Sequence, residues 1–327
     1  MKSRLFISLT AVLVIFFAVE AFLRFTVDRA CFSGTGSAAS ICREDPVLGW
    51  RNKTGDFTFQ NGEEKTVHIK LLNSGRRAVA ANGTGHADDR EKIILIGGSF
   101  MFGQGLSDEE TMAWKLQDKM PEMKVLNYGV QAYGTYQSLL MLEHILPETS
   151  RPSVVIYGFM GHHLERNTAP QYWRAIMNRC SGPAVYMPYV SLDEKKNLVR
   201  HAPVTFDPGP FIRHLETLKL IYLFYELKFD KPRNTHGIMQ RLLLEMRDRC
   251  RTYNCQFIVA FLNAPPDIET VYTRFCRNNE INAIHYDLRG FQQEDLQIDD
   301  GHPNAILNTL WADQTFTALS TMLNPQP

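Results

Sequence analysis

Three residue types that together support acyl transfer occur in this sequence, although they lie far apart. Ser99 follows the pair Gly97–Gly98 in the segment EKIILIGGSFMFGQG, and His302 closes the acidic segment QIDDGH. A serine hydroxyl is a weak nucleophile unless a base takes its proton, and an acid beside that base fixes its tautomer and stabilises the imidazolium. Ser99, His302 and an aspartate therefore form a candidate triad, and the alternative is a serine that only shapes a turn.

Two carboxylates compete for the orienting role. Asp299 lies three residues before His302 and Asp300 lies two before it, so spacing alone leaves both open. The glycines before Ser99 have a clearer meaning. Glycine tolerates backbone angles that are closed to other residues, so the pair predicts a sharp turn that presents the serine after a buried strand.

The elements around these residues predict an α/β fold, a three-layer sandwich with a central parallel sheet. Apolar runs and amphipathic segments alternate from Lys92 onward, in a βαβαβ order that places helices on both sheet faces. Ligands bind outside the carboxyl ends of such strands, so Ser99, Gly129 and the GFMGHH turn should share one edge. Residues 168–235, rich in proline and aromatic side chains, break the rhythm and are interpreted as an insertion.

The motifs resemble those of the SGNH, or GDSL-like, hydrolases. GGSFMFGQG is similar to the nucleophile segment, NYGVQAYG to the second segment and DDGHP to the last one. DPVLGWRNK and LLNSGRRAV also resemble membrane-anchored bacterial members. The resemblance implies a flavodoxin-like sheet and a serine esterase or O-acyltransferase, and the family's frequent Asp-x-x-His spacing favours Asp299 over Asp300.

The resemblance also implies an oxyanion site made by the backbone of Ser99, by Gly129 and by His162. Two departures stand out. Gly98 replaces a common aspartate, and the third motif, commonly Gly-x-Asn-Asp, reads GFMGHHLERN with His162 at the asparagine position. An imidazole can donate from a ring nitrogen, more strongly if protonated, but it titrates near pH 6.5. A degenerate fold that only binds or assembles is therefore the competing function.

Three further residues are candidate substrate contacts, each with a structural alternative. Asn127 lies close to Gly129 and could instead hold the second loop by hydrogen bonds. His163 stands where the third motif has its aspartate and could instead be packed. Trp173 could stack on a sugar ring or belong to the core of the insertion.

The N-terminus predicts a membrane anchor. Lys2 and Arg4 precede an apolar stretch from Leu5 to Leu23, which as a helix would span roughly 29 Å, about the hydrocarbon thickness of a bilayer. A cleaved signal peptide is the alternative, but the stretch is long and no small-residue cleavage site follows it at once. A short basic tail before a long folded part favours a single-pass protein of the cytoplasmic membrane with its catalytic domain on the periplasmic side.

Composition narrows the partners. Lys plus Arg and Asp plus Glu each number 35 and no basic tract stands out, which argues against a nucleic-acid binder. Six cysteines permit disulfides in an exported domain, with buried free thiols as the alternative. No Cys-x-x-Cys or His-rich cluster indicates a metal, and acyl transfer through serine needs no cofactor.

The predicted organisation is a membrane anchor over residues 1–28, a linker and small β subregion over 29–90, and a hydrolase-like domain over 91–320. The expected partners are an acylated glycan or a small ester as substrate, the membrane through the N-terminal helix, and envelope proteins.

Overall fold

The computed structural model describes residues 2–32, 41–61, 65–80, 89–181, 185–207, 209, 212, 214–229 and 234–323. In the first helix it describes side chains from residue 10 to residue 25 only. Residues 33–40, rich in serine and small residues and taken as the linker part of the predicted region 29–90, lie outside these residues, as do the side chains of Cys31 and Cys180.

Four strands precede the main sheet and form two antiparallel pairs. The alternating segment TVHIKL lies within a strand, as its period of two predicts, and its apolar residues face inward. Strand β1 pairs with β2 and strand β3 with β4. The first five elements are α1 (Lys2–Phe32), β1 (Cys42–Asp45), β2 (Gly49–Asn52), β3 (Gly55–Asn61) and β4 (Lys65–Leu71).

The central sheet has five parallel strands in the order β11-β10-β7-β5-β6, with helices on both faces, so the predicted fold class is confirmed. Its strands are β5 (Lys92–Gly97), β6 (Lys124–Asn127), β7 (Pro152–Met160), β10 (Gln256–Asn263) and β11 (Asn282–Ile284). The helices between and after them are α2 (Ser99–Phe102), α3 (Met112–Lys119), α4 (Thr135–Ile145), α5 (His163–Arg166), α8 (Thr235–Thr252), α9 (Pro266–Asn278) and α10 (Ala305–Leu323).

Strand β5 shows how the layers are held together. Its residues are all buried, and they alternate between the two faces of the sheet. Ile94 and Ile96 pack with α4 and α8 on one face, whereas Ile93 and Leu95 pack with α3 and α10 on the other. A strand that is buried on both faces must be apolar throughout, which explains the uninterrupted run of the sequence.

The predicted insertion has regular structure of its own. It contains α6 (Gln171–Ser181), an antiparallel pair β8 (Met187–Leu192) and β9 (Leu198–Val204), and α7 (Glu216–Phe229). Helix α7 begins against α1, because the Glu20 carboxylate accepts hydrogen bonds from the backbone N–H groups of Glu216 and Thr217 at 2.8 and 3.0 Å.

No helix within the described residues is both long enough and apolar enough to cross a bilayer, and the side chains of residues 2–9 and 26–32 of α1 lie outside the described part. The expectation of disulfides is corrected. The described cysteines Cys42, Cys250, Cys255 and Cys276 are free thiols, so no disulfide is present in this part of the chain. Cys250 and Cys255 meet at a tight turn, where the Cys255 thiol donates to the Cys250 carbonyl at 3.3 Å.

Candidate active site

The serine is presented by a turn that requires glycine. Gly97 has φ +153°, a backbone angle that other residues rarely adopt, and a Cβ there would lie 3.1 Å from Cβ of Met101. Ser99 is buried to 7% exposure and begins the four-residue helix α2, so its backbone N–H has no partner within that helix. Gly103 ends the helix in the left-handed conformation.

His302 meets this serine from the other end of the chain. Its Nε2 lies 3.0 Å from Ser99 Oγ, and its Nδ1 lies 2.9 Å from Oδ1 of Asp300. An ionised carboxylate only accepts hydrogen bonds, so Nδ1 carries the proton and Nε2 turns its lone pair towards the serine hydroxyl. This is the arrangement that a general base requires before it takes a proton.

The structure places Asp300, and not the favoured Asp299, against the histidine. The two-residue spacing lets the Asp300 carboxylate turn back and also accept the backbone N–H of His302 at 3.0 Å. The preference for Asp299, which came from the family spacing, is therefore not met by the geometry, because the hydrogen bonds from the His302 ring and backbone go to Asp300.

The Asp300 carboxylate is held in its charged form. Partial burial acts to raise its pKa, but hydrogen bonds from the His302 ring and backbone, with one from the Gln104 side chain, lower it below its ordinary value. The carboxylate therefore remains negative at neutral pH and can stabilise an imidazolium on His302.

The loop that carries His302 is tightly closed. Ile298 N–H donates to the His302 carbonyl and Gly301 N–H to the Ile298 carbonyl, both at 2.8 Å. Gly301 adopts φ +82° at the bend. The Phe100 ring packs edge-on against the imidazole, with 5.4 Å between the centroids. Backbone and packing thus fix the ring orientation.

Gly129 does not offer the oxyanion donor that the resemblance implies. Its N–H donates to Asn127 Oδ1 at 2.9 Å, and a Cβ on this residue would lie 2.5 Å from the backbone nitrogen of Phe102. Gly129 therefore allows close approach of the loop to helix α2. Asn127 is wholly buried, and its amide also donates to the Met101 carbonyl at 3.1 Å, so it positions the loop and cannot contact substrate.

Ala132 is a candidate donor that the sequence analysis missed. Trp50 Nε1 donates to the Gln131 carbonyl at 2.9 Å, so the N–H of the same trans peptide, which belongs to Ala132, points the opposite way. No residue in the described part of the chain accepts a hydrogen bond from this N–H. Ala132 adopts φ +65°, and Val130 N–H fastens its loop to the Gly97 carbonyl at 3.1 Å. The one signal for this residue is its positive φ, which is unusual for a residue other than glycine and is visible only in a structure.

His163 is a buried structural residue and not a substrate contact. It has no exposed surface, and its Nδ1 lies 2.7 Å from Tyr157 Oη. Its Nε2 has no described partner and lies 3.1 Å from the position a Cβ on Gly98 would take. Burial first, and then the nearby charges of His162 and Arg166, hold its pKa well below the ordinary value, so the ring is neutral. A side chain at position 98 would meet this ring, which accounts for Gly98.

His162 lies at the start of helix α5 and is exposed. Desolvation within the site, with the positive charges of Arg166 and His302, lowers its pKa to about 3. The direction of this shift leaves the ring neutral at neutral pH. A neutral imidazole can still donate from one nitrogen, but the stronger, protonated donor is not available.

Trp173 is partly buried in the insertion. The guanidinium of Arg166 lies 4.0 Å from the centroid of its ring, and the same Arg166 donates to the Tyr133 carbonyl at 3.3 Å. Trp173 is thus linked to the Ala132 loop through Arg166, and nothing among its described contacts joins it to Ser99.

A second residue that the sequence did not predict, Arg77, binds the C-terminal end of helix α2, which carries Ser99. Its buried guanidinium donates to the carbonyls of Phe102, Gly103 and Leu106 at 2.9, 2.6 and 2.5 Å. Its Nε donates to Asp108 Oδ1 at 2.7 Å. The carbonyls at the end of a helix have no intrahelical partners, so a buried cation there satisfies groups that would otherwise be orphaned.

No group of three or more His, Cys, Asp or Glu side chains within the described residues is arranged to hold a metal ion. A cavity of about 260 Å³ lies against β6, between Arg76, Arg90 and Gln117, but none of the residues that line it belongs to the triad.

Comparison with known proteins gives a distant likeness of fold. No family model matches the chain, and no curated protein matches it. Among solved structures it is similar to TesA (12% identity, TM-score 0.41, covering 71% of this chain and 99% of that one). It is also similar to the esterase EstA from Pseudoalteromonas sp. (15%, 0.43, 72% and 100%) and to AlinE4, an SGNH-hydrolase family esterase (13%, 0.39, 73% and 97%). Function is therefore assigned from the geometry of Ser99, His302 and Asp300.

Proposed function

We propose that this protein is a membrane-anchored serine esterase or O-acyltransferase that acts on an ester, an acylated glycan being the favoured substrate. The observation that carries the proposal is the hydrogen-bonded series Ser99 Oγ–His302 Nε2 at 3.0 Å and His302 Nδ1–Asp300 Oδ1 at 2.9 Å. A buried serine whose hydroxyl faces an acid-oriented imidazole is suited to nucleophilic catalysis.

The mechanism follows from these contacts. His302 Nε2 takes the proton of Ser99 as Oγ attacks the ester carbonyl, and Asp300 stabilises the imidazolium. The backbone N–H groups of Ser99 and Ala132, with a neutral His162, are the candidate donors to the oxyanion. His302 then returns the proton to the leaving alcohol, and an acyl-serine remains. Water or a sugar hydroxyl, deprotonated by His302, releases the acyl group.

The substrate class and location have separate support. The segments DPVLGWRNK and LLNSGRRAV resemble those of membrane-anchored bacterial members, which favours an acylated envelope glycan. The basic tail and the apolar stretch from Leu5 to Leu23 favour anchoring in the cytoplasmic membrane, with the catalytic domain and its envelope partners on the outer side. Reporter fusions at both ends of the chain would test this orientation, and reporters that place both ends on one side would contradict it.

The proposal is tested by covalent labelling. A fluorophosphonate probe should label the full-length protein on Ser99, and Ser99→Ala should abolish labelling together with hydrolysis of an aryl acetate. Ser138→Ala is a matched control, because this serine is also buried but donates to the Gly134 carbonyl at 3.0 Å. Acyl-enzyme partitioning between water and added oligosaccharide distinguishes esterase from transferase.

A binding or assembly component is the second candidate, and one observation favours it. In the loop after β6, the Gly129 N–H donates to Asn127 and is not available to an oxyanion. In the loop after β7, the neutral imidazole of His162 stands where the family has an amide donor. A folded protein that neither reacts with the probe nor turns over any aryl acetate would support this candidate and exclude the enzyme.

A further inference from the structure

Two helices carry most of the large apolar side chains that face water. Of the twenty such side chains that are exposed in the described residues, eight lie on α1 and five on α7. A concentration of exposed apolar side chains marks a surface that binds a partner or a membrane. The five on α7, each at least half exposed, are Ile221, Phe224, Tyr225, Leu227 and Phe229.

The apolar face of α7 is turned away from the protein. Ile221, Phe224, Tyr225 and Lys228 follow one another at spacings of three, one and three residues, which places them along one face of the helix. A helix of a globular protein packs its apolar face against the core and leaves its charged residues outside. In α7 this face is exposed, whereas Glu226 is buried to 8% exposure. The usual arrangement is reversed, which suits a helix whose outer surroundings are apolar.

The neighbouring helix α1 indicates what those surroundings are. Residues 12–15 are all exposed, and consecutive residues of a helix point in directions about 100° apart, so every side of α1 presents apolar groups. Of residues 10–19, only Phe16 is partly buried. A single protein surface covers one side of such a helix, whereas acyl chains cover all sides. A helix that is apolar all round and lies outside the core is typical of a lipid environment.

Contacts at the end of the apolar stretch fix the level of α7. The Glu20 carboxylate accepts hydrogen bonds from the first turn of α7, and Arg24 Nε donates to the same carboxylate at 3.0 Å. The apolar stretch of α1 ends at Leu23, so in the proposed anchor these charged groups lie where the acyl chains meet the headgroups. Helix α7 therefore begins at that boundary.

The side chains of α7 suit this boundary. The Tyr225 and Phe229 rings pack with 5.0 Å between their centroids, and Lys228 Nζ lies 5.8 Å from the Phe224 centroid and 5.4 Å from that of Phe229. At the edge of a bilayer, a tyrosine ring or a lysine stem meets acyl chains while the polar tip reaches the headgroups. The Lys228 ammonium is also complementary in charge to an anionic phosphate headgroup.

We propose that α7 is a second lipid-binding element, whose face of Ile221, Phe224, Tyr225 and Phe229 enters the surface of the bilayer that holds α1. The inference rests on the membrane anchoring in the proposed function, but it does not depend on catalysis by Ser99. Lipid binding through α7 places the insertion against the membrane surface.

The test uses the full-length protein in vesicles of phosphatidylcholine and phosphatidylglycerol, with a tryptophan introduced by Phe224→Trp. Phosphatidylcholine with brominated acyl chains should quench most of the added emission, and aqueous acrylamide should quench little of it. Phe291→Trp is the matched control, because Phe291 is an exposed phenylalanine in the segment after β11. Acrylamide, and not the brominated lipid, should quench this control.

Three results would overturn the proposal. Quenching of Phe224→Trp by acrylamide and not by the brominated lipid would place the face in water. Protection from both quenchers would mean that a protein surface, such as a second copy of the chain, covers it. Equal quenching of Phe224→Trp and Phe291→Trp by the brominated lipid would mean that the lipid contact is not specific to α7.

A charge on the same face provides a second measurement. Ile221→Glu, added to Phe224→Trp, should lower quenching by the brominated lipid, because a carboxylate is costly to bury among acyl chains. Val271→Glu in the same background is the matched control and should keep the quenching, since Val271 is exposed on α9. Equal quenching in these two variants would overturn the proposal.

Phe17→Trp, on the exposed part of α1, separates this inference from the anchor on which it rests. Quenching of Phe17→Trp but not of Phe224→Trp by the brominated lipid would reject α7 as a lipid-binding element and keep the anchor. Quenching of Phe224→Trp alone would support α7 and reject the anchor. Covalent labelling of Ser99 reports on catalysis independently of both.

Discussion

Arg77 and Asp108 form a buried ion pair, with 2.7 Å between Nε and Oδ1, on the far side of the helix that presents Ser99. The remaining guanidinium nitrogens hold the carbonyls of Phe102, Gly103 and Leu106, and Asp108 Oδ2 accepts the N–H of Lys70 from β4. The pair thereby ties the small β subregion to the nucleophile turn.

Arg77→Met should destabilise the protein by about 3–5 kcal/mol, because it leaves Asp108 buried without its counter-charge. Arg77→Lys should recover part of the stability and little of kcat, since one ammonium cannot reach all the carbonyls that the planar guanidinium holds. Denaturant unfolding and esterase kinetics measure the two effects. Arg251→Met, at an exposed pair with Glu280, should cost at most about 1 kcal/mol. Equal costs for Arg77→Met and Arg251→Met would contradict this account.

Asp300→Asn should lower kcat by roughly 10²–10⁴, because an amide can hold the wrong imidazole tautomer and cannot stabilise the imidazolium. Asp299→Asn is the matched control and should leave kcat unchanged, since Asp299 is exposed beside the site. Steady-state hydrolysis of an aryl ester is sufficient to compare them. A larger loss from Asp299→Asn would restore the family spacing as the better guide.

His162→Asn should retain or raise esterase activity, and His162→Ala should lower kcat by up to about 10²–10³ if the ring donates to the oxyanion. The pKa of His162 is lowered below its ordinary value, so the ring is neutral at pH 7 and above. The pH–rate profile from about pH 7 to pH 8 should therefore have the same shape in all three proteins. Equal activity of the three would remove His162 from the site.

His163 should make the protein less stable in mild acid. The pKa of His163 in the folded state lies well below its unfolded value of 6.5. Below pH 6.5 this histidine is therefore protonated in the unfolded chain but not in the folded chain. The free energy of unfolding should then fall with decreasing pH by up to about 1.4 kcal/mol per unit. His163→Asn, which keeps a polar group near Tyr157, should reduce this slope. An unchanged slope by denaturant titration would show that another group is responsible.

Ala132→Gly should raise the free energy of unfolding by about 1 kcal/mol, because glycine adopts φ +65° without the steric cost that alanine carries. The backbone N–H is unchanged, so kcat should persist. Ala312→Gly, in the interior of helix α10, should have the opposite sign. A loss of stability in Ala132→Gly would mean that the methyl group packs more favourably than its backbone angle costs.

The sequence was sufficient to predict the parallel sheet and the contact between Ser99 and His302. Continuous apolar runs such as Ile93–Ile96 report strands buried on both faces, and parallel strands bring their carboxyl ends to one edge. Which acid orients His302 was not readable from spacing, because the choice depends on how a five-residue turn closes. Hydrogen bonds of single peptide groups, such as those at Gly129 and Ala132, leave no local pattern in a sequence.

Contacts between segments that are distant in the chain could not be predicted, for a similar reason. Trp50 and Arg77 lie in the two segments that resemble anchored family members, and both reach the site, one through the Gln131 carbonyl and the other through helix α2. Sequence periodicity assigns residues to faces, but it does not say that a side chain from a preceding subregion will satisfy a carbonyl beside the nucleophile. The small β subregion is therefore part of the support of the site.

Glu20 connects the N-terminal helix to the start of helix α7. Its carboxylate caps the first turn of α7 through Glu216 and Thr217, and Arg24, bonded to the same carboxylate at 3.0 Å, also donates to the His214 carbonyl at 2.5 Å. If α1 were deleted to ease purification, α7 would lose its Glu20 cap, and the apolar side chains that pack beside it would be exposed. Such a fragment would understate the order of the insertion, so biochemical work is better begun on the intact polypeptide.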